Sequence, residues 1–137
     1  MSTVKLVTDE EAAGVVAEVF ADIRNTRKTD FINNFWRAAA AVDPGLLKTT
    51  WEEVKGVMAI PGELDPMTQE MIYIAVSVAN ACSYCVHSHT ASARAKGMTD
   101  AQYAELLKIV SLAAKTNHLV TAMQVPVDQI FDKSVAG

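Results

Sequence analysis

The run NACSYCVHSH, residues 80–89, holds two cysteines three positions apart followed by two histidines, and these are the only cysteines in the chain. Such side chains can bind a metal, carry a thiol–disulfide couple or move a proton. On a helix, Cys82, Cys85 and His89 fall at i, i+3 and i+7 along one stripe, whereas His87 points about 200° away from Cys85. A tetrahedral zinc site needs four converging ligands. One helix cannot supply them from Cys82, Cys85, His87 and His89, and His118 is the only other histidine. Covalent haem attachment takes Cys-x-x-Cys-His, and Val86 occupies the histidine position.

A redox dithiol suits the spacing better. The thiolate is the reactive species, and a helix N-terminus with a nearby imidazole lowers a thiol pKa from about 8.5 into the range of roughly 3.5–7.5. Cys85 precedes His89 by one turn, within reach of the imidazole directly or through a water. Cys82, nearer the helix mouth, is placed to attack an oxidised Cys85, so that a sulfenic acid on Cys85 would condense to a disulfide. A bond between these two closes too small a loop to stabilise a fold much. The competing reading is that both cysteines are small core hydrophobes. His87 and His118 read as surface or packing residues.

A second polar line, Glu70, Tyr73 and Ser77, runs at i, i+3 and i+7 on the preceding apolar segment. A buried carboxylate is costly unless paired. If the two segments fold back on each other, Glu70 could hold His89 in one tautomer or relay its proton. The alternative is that Glu70 merely complements a helix dipole in the first turn after Pro66. Glu70 lies 12 residues before Cys82 and His89 only 7 beyond it. That is roughly 18 Å against roughly 10 Å along straight helices, a mismatch that a helix crossing or a bridging water must cover.

The elements that would position these residues all read as helices. Thr8-Asp9-Glu10-Glu11 has the form of a capping box and opens a helix with Ala12, Val15, Val16, Val19, Phe20 and Ile23 on its apolar face. After a polar break at 25–30, a second helix runs from near Phe31 to Ala41. Asp43-Pro44 and Asp65-Pro66 each put a cap residue before a proline at the first helical position. The helix after Asp43 ends before Pro61-Gly62. The one after Asp65 includes MIYIAVSVA, residues 71–79, apolar nearly all round and expected to be a central buried helix. The cysteine helix ends at Gly97, a natural C′ residue. Thr99-Asp100-Ala101-Gln102 opens a helix expected to bury Tyr103, Leu106, Leu107, Val110, Ala113 and Ala114, with a shorter helix from about Asn117 to Gln124. The fold class is all-α.

With 137 residues, half of them hydrophobic and 20% charged, the chain fits one packed domain over 1–137. Its net charge of −4 and scattered basic residues argue against nucleic acid as a partner. No apolar run approaches the ~20 residues needed to span a bilayer, and the N-terminus lacks a signal-peptide pattern. A cytoplasmic protein without a membrane partner is expected, where a close cysteine pair is more often catalytic or metal-binding than structural.

Glu70, eleven intervening residues, Cys82-x-x-Cys85, three residues and His89 together resemble the pattern of the AhpD-like alkylhydroperoxidases of the carboxymuconolactone decarboxylase superfamily. LDPMTQEMIYIAVSVANACSYCVHSHTASARAKG resembles the core helix pair of that family from end to end, and Asp43-Pro44-Gly45-Leu46-Leu47 its lead-in. The likeness covers roughly residues 30–115. It implies an all-α fold, and homo-oligomers built as trimers or hexamers, for which Phe31, Phe35, Trp36 and Trp51 would suit either an interface or the core. It implies that Cys85 attacks the peroxide, that Cys82 resolves it, and that Glu70 and His89 relay protons. No bound cofactor or metal is implied. The substrate would be a hydroperoxide, and the reductant an external dithiol, lipoamide-type or a small thiol. A variant role is that of an electron adaptor for a peroxiredoxin or lipoyl-protein partner. Studied members carry a histidine before the second cysteine and commonly a glycine before the first; here these are Tyr84, a candidate for the relay through its hydroxyl, and Ala81. Family decarboxylases generally lack the cysteine pair. A non-catalytic helical scaffold is the rival from another class.

Overall fold

The computed structural model describes residues 1–132, and every regular element among them is helical. The α-helices are α1 (Val15–Arg27), α2 (Asn34–Val42), α3 (Pro44–Val54), α4 (Pro66–Ala79), α5 (Ser83–Ala95) and α6 (Asp100–Met123). A π-turn, Lys55–Ala59, extends α3, and a 3-10 turn, Gln129–Phe131, follows α6. The chain gathers into two compact units, one from Met1 to Glu63 and one from Leu64 onward.

The first unit closes α1, α2 and α3 around Val16, Val19, Phe20, Ile23, Ile32, Trp36, Leu47 and Trp51. Asp43 caps α3 by accepting from the Leu46 N–H, which fixes the rotation that sends Leu47 inward and leaves Leu46 exposed. Trp51 satisfies its indole N–H on Asp22 at 2.7 Å, as a buried indole requires. The aromatic residues divide: Trp36 and Trp51 are core, whereas Phe31 and Phe35 are exposed.

Two helix starts differ from the sequence expectation. The Thr8–Glu11 box forms both of its hydrogen bonds, yet it caps a single turn. Gly14, at φ 54°, interrupts the chain, and α1 begins only at Val15. Likewise Phe31 precedes α2, whose N-cap is Asn33.

The second unit packs α4 against α5, with α6 crossing α4, around Ile74, Ala93 and Met98. Asp65 caps α4 by accepting from the Thr68 N–H, and Thr99 with Gln102 forms a full capping box on α6. Gly97 ends α5 at φ 98°, with its N–H on the Arg94 carbonyl and that of Met98 on the Ala93 carbonyl.

Two expectations fail here. First, α6 is one helix of 24 residues, not two. No glycine or proline lies between Met98 and Gln124 to end the helix, so the shorter helix expected from about Asn117 to Gln124 is the continuation of α6. Second, burial is far lower than the apolar pattern suggests. α4 buries only Glu70, Ile74 and Ser77, and leaves Ile72, Val76 and Val78 exposed. α6 buries no residue fully. Tyr103 and Leu106 pack partly against the Ile74 cluster and Val110 is half-buried, but Leu107, Ala113 and Ala114 are exposed. From Ser111 to Asp132 every residue is exposed. The apolar faces exist, but nothing among the described residues covers them.

Candidate active site

α4 and α5 form an antiparallel pair joined by Asn80, Ala81 and Cys82. The turn is tight: the Asn80 N–H donates to the Val76 carbonyl, Ala81 to Val78 and Cys82 to Ser77, at 2.9–3.0 Å. Cys82 is the N-cap of α5, with its sulfur accepting from the Cys85 N–H at 3.3 Å. The two cysteines are joined by a disulfide with Cα atoms 5.4 Å apart. They therefore sit at the positive end of the α5 dipole, both partly buried.

One turn beyond Cys85, the His89 Nδ1 meets Glu70 Oε2 at 2.6 Å. The contact is direct and needs no bridging water. The mismatch of lengths shrinks because α4 ends at Ala79 and α5 starts at Ser83, so the connecting residues add no helical rise. What remains is roughly 4–5 Å, within reach of two long side chains. Tyr73 stacks on His89, ring centroids 3.7 Å apart and planes 20° from parallel. Ser77 is buried, and its hydroxyl donates to the Tyr73 carbonyl at 2.6 Å. Glu70 and Tyr73 of the polar line thus meet α5 through their side chains.

Glu70 is only 4% exposed. Burial pushes its carboxyl up, but hydrogen bonds from His89, Lys96 and Ser92 outweigh this and hold it down at about 2. An ionised Glu70 on Nδ1 fixes the imidazole as an Nδ1–H donor and leaves the lone pair on Nε2. This unit can exchange two electrons at sulfur and pass a proton along His89. Tyr84, between the cysteines, is 46% exposed. His87 and His118 are exposed and lie apart from the Glu70 pair. Among the described residues no group of three or more His, Cys, Asp or Glu side chains is arranged to hold a metal ion.

Comparison with known proteins bears on the family and the fold. Residues 44–128 match the carboxymuconolactone decarboxylase family. The chain belongs to that family. Within it the chain is AhpD-like: it is 63% identical to the alkylhydroperoxidase AhpD core of Rhodospirillum rubrum, whose crystal structure superposes with a TM-score of 0.93 over 96% of this chain and 97% of that one. A more distant relative is an uncharacterized protein, number 4 in the cox locus of Paracoccus denitrificans. It is 28% identical over 91 residues, 66% of this chain and 78% of the relative.

In this AhpD-like protein the carboxylate has two partners that sequence reasoning missed. Ser92 Oγ donates to Glu70 Oε1 at 2.9 Å and Lys96 Nζ at 2.5 Å. The signal was present. Continuing the Cys85–His89 stripe by i+3 and i+4 steps reaches Ser92 and then Lys96, but neither residue type carries redox chemistry that would single it out.

Proposed function

We propose that this AhpD-like chain is a thiol-dependent hydroperoxide reductase. The Cys85 thiolate attacks the terminal oxygen of ROOH; the O–O bond breaks, ROH leaves with a proton passed through His89, and Cys85 becomes a sulfenic acid. The Cys82 sulfur then attacks Cys85, water leaves, and the disulfide forms. An external dithiol, lipoamide-type or a small thiol, returns two electrons and two protons. Glu70 holds His89 in its Nδ1–H form, and Tyr84 serves as a further hydroxyl donor beside the leaving oxygen. The observation that supports this reading is the direct Glu70–His89 hydrogen bond one turn beyond the second cysteine of a bonded pair. A cytoplasmic setting, where dithiol reductants are maintained, fits the cycle.

Incubation of the reduced protein with tert-butyl hydroperoxide and a small dithiol is expected to consume peroxide catalytically. Absence of consumption together with rapid disulfide exchange with a peroxiredoxin or lipoyl protein would replace the reductase by an electron adaptor. Unreactive thiols would leave only a scaffold.

A homo-oligomer, trimer or hexamer, is part of the same reading. Leu112, Leu119, Val120 and Met123 on α6 are exposed, as are Ile72 and Val76 on α4. Among the described residues nothing buries this stretch of α6, and an apolar helix face left in water gains no stability from packing. Light scattering is expected to return three or six times the mass of one chain, and Leu119→Glu to lower it. A monomer at micromolar concentration would remove this part.

A further inference from the structure

The two oxygens of Glu70 face different partners. Oε2 meets His89 Nδ1, while Oε1 accepts from both Ser92 and Lys96. Lys96 Nζ is also 3.4 Å from Ser92 Oγ, so the lysine is braced from the side. Its side chain is one-third exposed, whereas that of Glu70 is almost fully enclosed.

A buried carboxylate whose only cationic partner is an imidazole favours the imidazolium, because that proton is the nearest available charge. A histidine held in that form cannot take a proton from a thiol. A lysine on the other oxygen changes the balance. Its charge compensates the carboxylate, and His89 need donate only its neutral Nδ1–H.

We propose that Lys96, braced by Ser92, is a positioning residue of this site: it keeps Glu70 ionised and turned toward His89, and so keeps His89 free to act as a base toward Cys85. The last step rests on the reductase reading, while the hold on Glu70 does not. The groups around Glu70 are consistent with this role. α5 contributes His89 and Lys96, with the Cys82–Cys85 pair beyond them. α4 itself contributes Tyr73, stacked on His89. At α6, Asp100 and Tyr103 are engaged by Arg94, which binds Asp100 at 2.6 Å and lies 5.2 Å from the Tyr103 ring. Lys96 is therefore the cation on Oε1. A lysine at the end of α5 would also complement the helix dipole, so the test must read Glu70 itself rather than stability.

The experiment is a carbon-13 titration of the glutamate carboxyls in the full chain, for wild type, Lys96→Met and Lys96→Arg, with Lys96→Gln as a second neutral variant should the methionine protein fail to fold. Removing the lysine is expected to raise the Glu70 midpoint by about one unit or more, and arginine to restore it. An unchanged midpoint in the neutral variants overturns the proposal. On the reduced proteins, the pH profile of iodoacetamide alkylation is expected to move by about 0.5–1 unit toward acid in Lys96→Met, because His89 then carries the cation on Glu70, one turn from Cys85, and favours the thiolate. A profile that responds to His89→Ala but not to Lys96→Met overturns the link from Lys96 to the base. If neither variant moves the profile while the Glu70 midpoint does shift, the reductase relay falls and the hold of Lys96 on Glu70 stands.

Discussion

Cys85→Ser is expected to reduce peroxide consumption to the uncatalysed background, while Cys82→Ser stops after one turnover with a sulfenic acid on Cys85. The two sulfurs differ in surroundings although they share a bond. Cys85 lies within α5 one turn before His89, whereas Cys82 is the N-cap, held on the Cys85 N–H and nearer the end of the helix. In the proposed cycle the thiol one turn from the imidazole meets the peroxide, and the thiol at the helix mouth attacks its neighbour and is later approached by a reductant. Dimedone trapping followed by mass spectrometry distinguishes the roles. Adduct on Cys85 in the Cys82→Ser protein supports the assignment, and adduct on Cys82 in the Cys85→Ser protein reverses it.

Glu70→Gln is expected to lower turnover by about 10²–10⁴-fold, the usual scale for a proton-transfer group, and to remove a stability increment that depends on pH. The sign follows from the depressed carboxyl. Glu70 titrates at about 2 in the folded chain against an ordinary 4.5, so the folded state prefers the ionised form. Its contribution is fully present above about pH 5 and is lost as the pH falls from there through 2. It amounts to on the order of 3 kcal/mol at neutral pH. Urea unfolding followed by circular dichroism at pH 7 and at pH 3 is the measurement. Wild type and Glu70→Gln should differ most at pH 7 and converge toward acid. Parallel stabilities across that interval would mean that the carboxylate is not held by its three donors. The amide also fails the site chemically: it leaves Lys96 facing a neutral group and removes the charge that orients His89.

Much of this arrangement was legible because it is local. Asp43, Asp65 and Thr99 cap helices through hydrogen bonds spanning three residues, and such short-range chemistry is visible in a string of letters. Gly97 was legible for the same reason, since a helix terminus at positive φ favours glycine. Glu70 and His89, nineteen residues apart, could be paired only conditionally, because the outcome depended on how little length the turn at 80–82 would use. The failures over burial share one cause. An apolar face on α4 or α6 shows that something must cover it, not that the same chain does, and so Ile72, Leu107 and Ala113 were expected inside and are outside. At Thr8 the capping chemistry was right, but Gly14 ended its reach after one turn.

Ala81 carries a consequence of its own. It sits at φ 55°, in the left-handed region where a β-carbon costs roughly 1–2 kcal/mol, at the position where the resemblance places a glycine. The backbone therefore reaches the dithiol under torsional load, balanced by the hydrogen bonds that clamp Asn80, Ala81 and Cys82 onto the last turn of α4. The placement of the Cys82 sulfur at the mouth of α5 thus depends on the integrity of a single helix end, the last turn of α4.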